Sequence, residues 1–351
     1  MAKTSLLKKI LFFFLIVIIL LGLAGGYFAY RIVYQPNVST GDEKSVVIYI
    51  PTGSDFEDVI HILSDENIIV RKKSFELLAE RKKYKNNIKP GRYRIMAKMN
   101  NNQLINLLRS GSQEPVSITF NNLRTKKDLA QRVGEKTETG PDEILRLLSN
   151  NSFLNKKYGM NDQSVLCIFL PNTYQFYWNT SAEQFMNRMA REYKKFWTES
   201  RKAKAKTIGL SQSEVSILAS IVQGEQSQFN EEKPIIAGLY LNRLKKKIPL
   251  QSDPTLICAT GDYTITRVLN EHKEIDSPYN TYKNTGLPPG PICIPEISSI
   301  DAVLNYQKND FYYMCAKEDF SGKHNFSKTL DQHNVYASKY RKALNQNKIY
   351  R

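Results

Sequence analysis

Apolar positions change their spacing twice along this chain, and each spacing predicts a different kind of element. From Ile10 to Tyr30 they run unbroken and uncharged (ILFFFLIVIILLGLAGGYFAY). A run of about 20 apolar residues matches a hydrocarbon core ~30 Å thick, so residues 10–30 are predicted to be a transmembrane helix. After a polar stretch the spacing turns to alternation. Ser45 to Ile50 (SVVIYI) predicts a strand, Pro51-Thr52-Gly53 a turn, and Ser54 with Glu57 a capping box at a helix start. Phe56, Val59, Ile60 and Leu63 then recur at helical spacing and predict one buried face. A helix over Lys73–Arg81, a turn at Lys89-Pro90-Gly91, a strand over Arg92–Met96 and a helix over Asn102–Leu108 follow, stopped at Ser110-Gly111.

A similar unit begins at Val116. Val116 to Phe120 alternates, Asn121-Asn122 turns, and Thr125 to Val133 places Leu129, Ala130 and Val133 on one helical face. Further amphipathic helices are predicted over Asp142–Leu148 and Phe185–Trp197. From about Leu166 the chain becomes richer in Pro-Gly turns and aromatics. The reading is an α+β protein: an N-terminal segment at 1–9, the membrane helix at 10–30, a stalk at 31–44, a small α/β module with linking residues at 45–165, and a larger mixed α/β domain at 166–345, with a frayed tail over Asn345–Arg351.

Charge decides which side of the membrane matters. Lys3, Lys8 and Lys9 precede the apolar run and Arg31 follows it, which favours a cytoplasmic N-terminus and an extracytoplasmic remainder. The rival reading is a cleaved signal peptide. Its apolar region would span ~7–15 residues, and Ala24-Gly25-Gly26 is a weak cleavage site, so an uncleaved single-pass anchor is expected. The net charge of +16 calls for an anionic partner. Outside the cytoplasm that means a wall polymer or lipid headgroups rather than nucleic acid; a cytoplasmic C-terminal part would reopen the nucleic-acid reading. The basic run over Lys194–Lys206 is read as a solvated helix face.

Cys167, Cys258, Cys293 and Cys315 have no CxxC spacing and are read as small buried side chains, although the compartment would permit disulfides. His61, His272, His324 and His333 form no HExxH-type pattern. No metal and no cofactor is expected.

The sharpest local signal is a helix over Ser211–Gln226, begun by a Ser211/Glu214 capping box and striped by Val215, Leu218, Ile221 and Val222. Glu225 lies on that apolar face, at its end. Burial would raise its carboxyl pKa, and a carboxylic acid kept protonated near neutrality can donate to a glycosidic oxygen. The plain alternative is a helix-end glutamate that reaches solvent. A helix over Ile235–Leu244 follows, then Leu250-Gln251-Ser252-Asp253-Pro254-Thr255, Ser277-Pro278-Tyr279-Asn280-Thr281-Tyr282 and Gly286-Leu287-Pro288-Pro289-Gly290-Pro291. These segments are dense in amides, hydroxyls and aromatics, the groups that read sugars. Each alone is an ordinary turn signal.

Taken in order, LASIVQGEQ, LYLNRL, LQSDPT, SPYNTY and TGLPPGPICIP resemble the endolytic murein transglycosylase (YceG-like) family. LPNTYQFYWNTS, GKHNFSKTLDQHNVYASKY and an N-terminal part similar to that family's LysM-like module extend the resemblance over nearly the whole chain. The resemblance implies a lyase of the cell wall without cofactor or metal. It would cut N-acetylmuramic acid–N-acetylglucosamine bonds in nascent glycan strands beside membrane-bound synthases, ending strand growth. It places the catalytic glutamate on Glu225, acting first as acid and then as base, and implies that Gln251, Asp253, Tyr279, Asn280 and Tyr282 line the glycan groove. Where many relatives have a further acid, this chain has Gln223, and Asn172 stands where aspartate is commoner. A water-using muramidase or a wall-binding scaffold without activity would share much of this pattern.

Overall fold

The structure, a computed structural model, describes residues 2–121 and 123–347. Asn122 of the expected turn, Met1, and residues 348–351 of the expected frayed tail lie outside them. The chain divides into two compact units. One runs to Val116 and takes in Gln175–Thr180; the other holds Ser117–Tyr174 and the chain from Ser181 onward. The expected division at 165/166 is thus drawn at 116/117 instead, because the helices after Val116 pack with the later chain.

The first unit opens with α1 (Ala2–Tyr34), apolar over Leu6–Tyr34 and exposed from Leu6 to Arg31 except at half-buried Val17. At ~1.5 Å per residue it is longer than a ~30 Å core requires. Its last turn, through Ile32 and Val33, packs on the core of the unit, and Asn101 Nδ2 donates to the Ile32 carbonyl at 2.8 Å. β1 (Ser45–Ile50), α2 (Phe56–Asp65), α3 (Lys72–Arg81), β2 (Gly91–Met96) and α4 (Asn101–Ser110) follow. β1 and β2 pair antiparallel, from Ser45 opposite Met96 to Ile50 opposite Gly91. Phe56, Val59, Ile60 and Leu63 all enter the core, as their spacing predicts.

Two expectations shift here. The capping box of α2 is formed by Asp55 and Asp58, one residue after Ser54 and Glu57, because Phe56 is the first residue that must face inward. Residues 31–44 are no free stalk. Asn37 and Val38 are buried, Asn37 Oδ1 accepts from the Arg71 amide at 2.7 Å, and Val38 bridges to Ile69. Polar side chains that satisfy buried backbone look like linker in a sequence.

The second unit holds β3 (Val116–Phe120) from Ser117 onward, α5 (Lys126–Gly134), α6 (Gly140–Leu148), α7 (Asn151–Tyr158), β4 (Asn172–Phe176) as far as Tyr174, α8 (Ala182–Phe196), α9 (Glu199–Ile208), α10 (Gln212–Glu225), α11 (Lys233–Lys245), α12 (Asp253–Thr260), α13 (Ile297–Leu304), β5 (Tyr313–Ala316), β6 (His324–Ser327) and α14 (Leu330–Gln346). α14 carries the chain past the expected end of the domain at 345. The basic run is split: Trp197 is buried between α8 and α9, and Thr198 caps α9. α10 is the central rod, packed by α11, α12 and α13. Val215, Leu218, Ile221 and Val222 are fully buried in the core it shares with Ile236, Leu239 and Tyr240. All four cysteines are free; Cys167 and Cys293 are buried, whereas Cys258 and Cys315 are only partly so.

Candidate active site

Helix α10 delivers Glu225 to the site by two local devices. Ser211 and Glu214 form the expected capping box, which fixes where the helix begins and so which face residue 225 occupies. At the other end Gly224 lets α12 come close: a Cβ there would lie 2.7 Å from Cβ of Pro254. The start of α12 can therefore sit beside the end of α10.

The Glu225 carboxyl has two donors on one oxygen. Tyr240 Oη, from α11, donates to Oε1 at 2.6 Å, and Ser252 Oγ donates to the same oxygen at 2.5 Å. Ser252 stands at the N-cap of α12, where serine normally caps its own helix; its hydroxyl turns to Glu225 instead. Oε2 takes no hydrogen bond among the described residues. Burial is the largest influence on this carboxyl and raises its pKa. The bonds from Ser252 and Tyr240 oppose the rise, the charge of Asp253 adds to it, and the net direction is up. Burial, then the nearby Glu225 charge, also holds the Tyr240 phenol well above its ordinary value, so that it remains a donor.

Glu225 opens onto a cleft of about 390 Å³. Gln251, Asp253 and Tyr282 line it, together with Tyr240, Arg243, Tyr313, His324 and His333. Tyr282 Oη donates to Asp253 Oδ1 at 2.6 Å. Gln251 has φ +53°, the left-handed region that a non-glycine residue enters at a cost. It is held there from two sides: its amide donates to the Thr281 carbonyl at 3.0 Å, and Arg243 Nη2 donates to its Oε1 at 2.6 Å. The amide nitrogen of its side chain is left for the cleft.

Two expected groove residues lie elsewhere. Asn280 is fully buried. Its Nδ2 donates to the carbonyls of Lys273 and Ile275, and its Oδ1 accepts from the amides of Tyr282 and Lys283. With its hydrogen-bonding capacity spent on the loop, Asn280 shapes the segment that presents Tyr282 and has nothing to offer a ligand. Tyr279 is half-buried, packs against the core of the unit and lies beside Gly290, outside the cleft lining. Gln223 is buried and turned away, its Oε1 accepting from the Glu296 amide at 2.6 Å at the start of α13. Asn172 is exposed at the start of β4, its Oδ1 accepting from the adjacent Thr173 amide.

Sequence reasoning missed Tyr240, Ser252, Arg243 and His324 as site residues. Tyr240 and Arg243 are three apart on α11, within the LYLNRL segment, and that spacing could have placed both on one face. Nothing local marks His324, whose position depends on the β5–β6 hairpin.

Comparison with known proteins agrees along most of the chain. The family model described as the YceG-like family matches residues 48–339. The endolytic murein transglycosylase of Bacillus subtilis (strain 168) is 31% identical over 341 residues, covering 92% of each chain. The protein of the same name from Streptococcus pneumoniae (serotype 2, strain D39 / NCTC 7466) is 28% identical, over 84% of this chain and 58% of that longer one. A crystal structure of a YceG-like protein from Listeria monocytogenes superposes with a TM-score of 0.55 at 29% identity, covering 83% of this chain and 98% of that one.

Proposed function

The chain belongs to the YceG-like family, and from that premise we infer that it is a lytic transglycosylase, a lyase acting on peptidoglycan glycan strands. The observation that carries this reading is the Glu225 carboxyl. Burial raises its pKa and so favours the protonated acid, and two donors on Oε1 leave the proton to Oε2.

Oε2 gives that proton to the oxygen joining N-acetylmuramic acid to the next N-acetylglucosamine. As that bond breaks, the C6 hydroxyl of the muramyl residue attacks its own C1 and closes a 1,6-anhydro ring. The nucleophile belongs to the substrate, so ring closure gains from intramolecular proximity. The amide nitrogen of Gln251 supplies a donor for the sugar's acetamido oxygen, and the Asp253–Tyr282 pair lines the approach. The charge of Asp253 supports the oxocarbenium-like transition state.

α1 anchors the chain in the membrane, with its N-terminus cytoplasmic and the chain after α1 outside. The β1–α2–α3–β2 arrangement of the first unit serves as the LysM-like module that grips glycan. Tethered in this way, the enzyme cuts strands near the membrane-bound synthases that make them and so ends their growth.

Digestion of purified glycan strands, followed by mass spectrometry of the released ends, tests the reading. The full-length enzyme should release 1,6-anhydromuramyl ends and Glu225→Gln none above background. Reducing ends from the wild-type enzyme would mean hydrolysis, and strands left uncut would mean a binding scaffold.

A further inference from the structure

Ring closure releases a second proton, from the C6 hydroxyl, and the geometry of Glu225 makes it a poor acceptor while it is still acting as acid. Its Oε2 carries the proton being donated, and its Oε1 already accepts two hydrogen bonds, from Tyr240 and Ser252. Both lone pairs of Oε1 are therefore engaged. A base that works in step with bond cleavage must be another group.

His324, at the start of β6, lines the same cleft as Glu225. Its ring is fixed from behind. Nδ1 lies 2.9 Å from Glu232 Oε2, and the His324 backbone amide donates to Glu232 Oε1 at 3.1 Å. Glu232 is itself buried and held in place, since Gln226 Nε2 donates to its Oε2 at 2.9 Å. Burial works to raise this carboxyl. The bonds from His324 and Gln226 outweigh it and hold Glu232 below the usual carboxylate range, so it stays ionised. A carboxylate can only accept, so Nδ1 carries a hydrogen, and in the neutral ring Nε2 is the nitrogen left with the lone pair. Nε2 has no partner among the described residues.

We propose that His324 Nε2, oriented by Glu232, is a second catalytic group, the base that receives the proton of the muramyl C6 hydroxyl. The proposal rests on the lytic transglycosylase reading. The balance is complete: the C6 oxygen forms a bond to C1, the C1–oxygen bond to the leaving sugar breaks, the Glu225 proton goes to the leaving oxygen, and the C6 proton goes to Nε2. Water then returns both groups to their starting states. Glu232 is a positioning residue, as the carboxylate is in other carboxylate–histidine pairs.

The test compares turnover of His324→Gln, His324→Ala and Glu232→Gln with wild type on purified glycan strands, counting anhydro ends. His324→Gln can accept a hydrogen bond but cannot carry off a proton, and should turn over ~10²-fold more slowly. His324→Ala should be slowed at least as much and regain rate in proportion to added imidazole, with no such gain from sodium chloride at equal ionic strength. Glu232→Gln should lose ~10–10²-fold in kcat with KM and melting temperature unchanged. Near-wild-type turnover by His324→Gln, or a slowed, folded His324→Ala that imidazole does not help, would overturn the assignment while leaving Glu225 as the acid. A wild-type enzyme that releases no anhydro ends removes both readings together.

Discussion

The two units bury different things. The first is centred on an apolar cluster running from Val38 through Ile48, Val59, Leu63, Phe75 and Tyr93 to Leu108, and few polar side chains are buried with it. The second has an apolar core of similar make-up, but beside it Gln223, Gln226, Glu232, Lys233, Arg243, Ser252, Asn280 and Ser299 are also buried. A buried polar group is costly unless it is bonded, and each of these has a partner. Part of this buried polarity converges on the cleft: Ser252 bonds Glu225, Arg243 bonds Gln251, and Gln226 and Glu232 hold His324, whereas Gln223, Lys233 and Ser299 gather at the start of α13. Substitutions in the first unit should therefore cost stability and spare turnover, whereas those at the cleft should do the reverse.

The largest effect belongs to Glu225→Gln. Turnover should fall by ~10²–10⁴-fold, the usual worth of general acid catalysis. Stability should move the other way. In the wild type the folded state holds the Glu225 proton to higher pH than the unfolded chain does. Between those two titrations the folded protein binds more protons, so the wild type loses stability as pH rises, by up to ~1.4 kcal/mol per pH unit. Glutamine removes that slope. Urea unfolding of both proteins from pH 4 to pH 8 measures it, and parallel curves would mean that the carboxyl is not buried in the way described.

Leu63→Ala in α2 is the counterpart. Leu63 is fully buried, so truncation should cost ~2–5 kcal/mol of unfolding free energy. Anhydro-end release per folded molecule should hold at the wild-type rate. A loss of turnover at full folding would break the division between the two regions.

That division also explains what a sequence can reveal. The helix faces of α2, α5 and α10 were legible because core packing repeats every 3.6 residues, and strands β1 and β2 were legible as strands, though not their antiparallel pairing. Glu225 was legible because it continues such a face. The groups that tune it were not, since a donor to a carboxyl has no period. No spacing singles out Ser252 or Tyr240, and Asn280 reads as a sugar ligand when its amide is spent inside a loop. β5, β6 and α14 escaped as well, because none of their strand residues but Ser327, and none of α14, is fully buried.

A smaller effect separates tuning from catalysis. Tyr240→Phe keeps the ring and removes one of the two bonds that restrain the rise in the Glu225 pKa. A hydrogen bond to a charged group is worth ~1.5–3 kcal/mol, or about one to two pH units. Activity depends on the protonated acid, so its alkaline limb should move to higher pH by about that much. An unmoved limb together with a lower plateau would assign Tyr240 to substrate binding instead.

The smallest effect tests whether every buried polar residue near Glu225 serves the reaction. Gln223 is two residues away on the same helix, yet its side chain points to α13, where Oε1 accepts from the Glu296 amide at 2.6 Å and from Ser299 Oγ at 3.3 Å. It thus does from a distance what an N-cap residue does locally, for a helix whose own N-cap residue, Glu296, makes no such bond. Gln223→Ala should cost ~0.5–2 kcal/mol, the usual worth of a cap, read as a lower urea midpoint with an unchanged slope. The rate of anhydro-end release and its pH profile should not move, because nothing connects this amide to the Glu225 carboxyl except the helix backbone. Gln223→Glu should restore most of the lost stability, since a carboxylate accepts the same bonds and favours a helix N-terminus. A changed pH profile in either variant would mean that the polar shell of Glu225 reaches one turn further along α10 than its hydrogen bonds do.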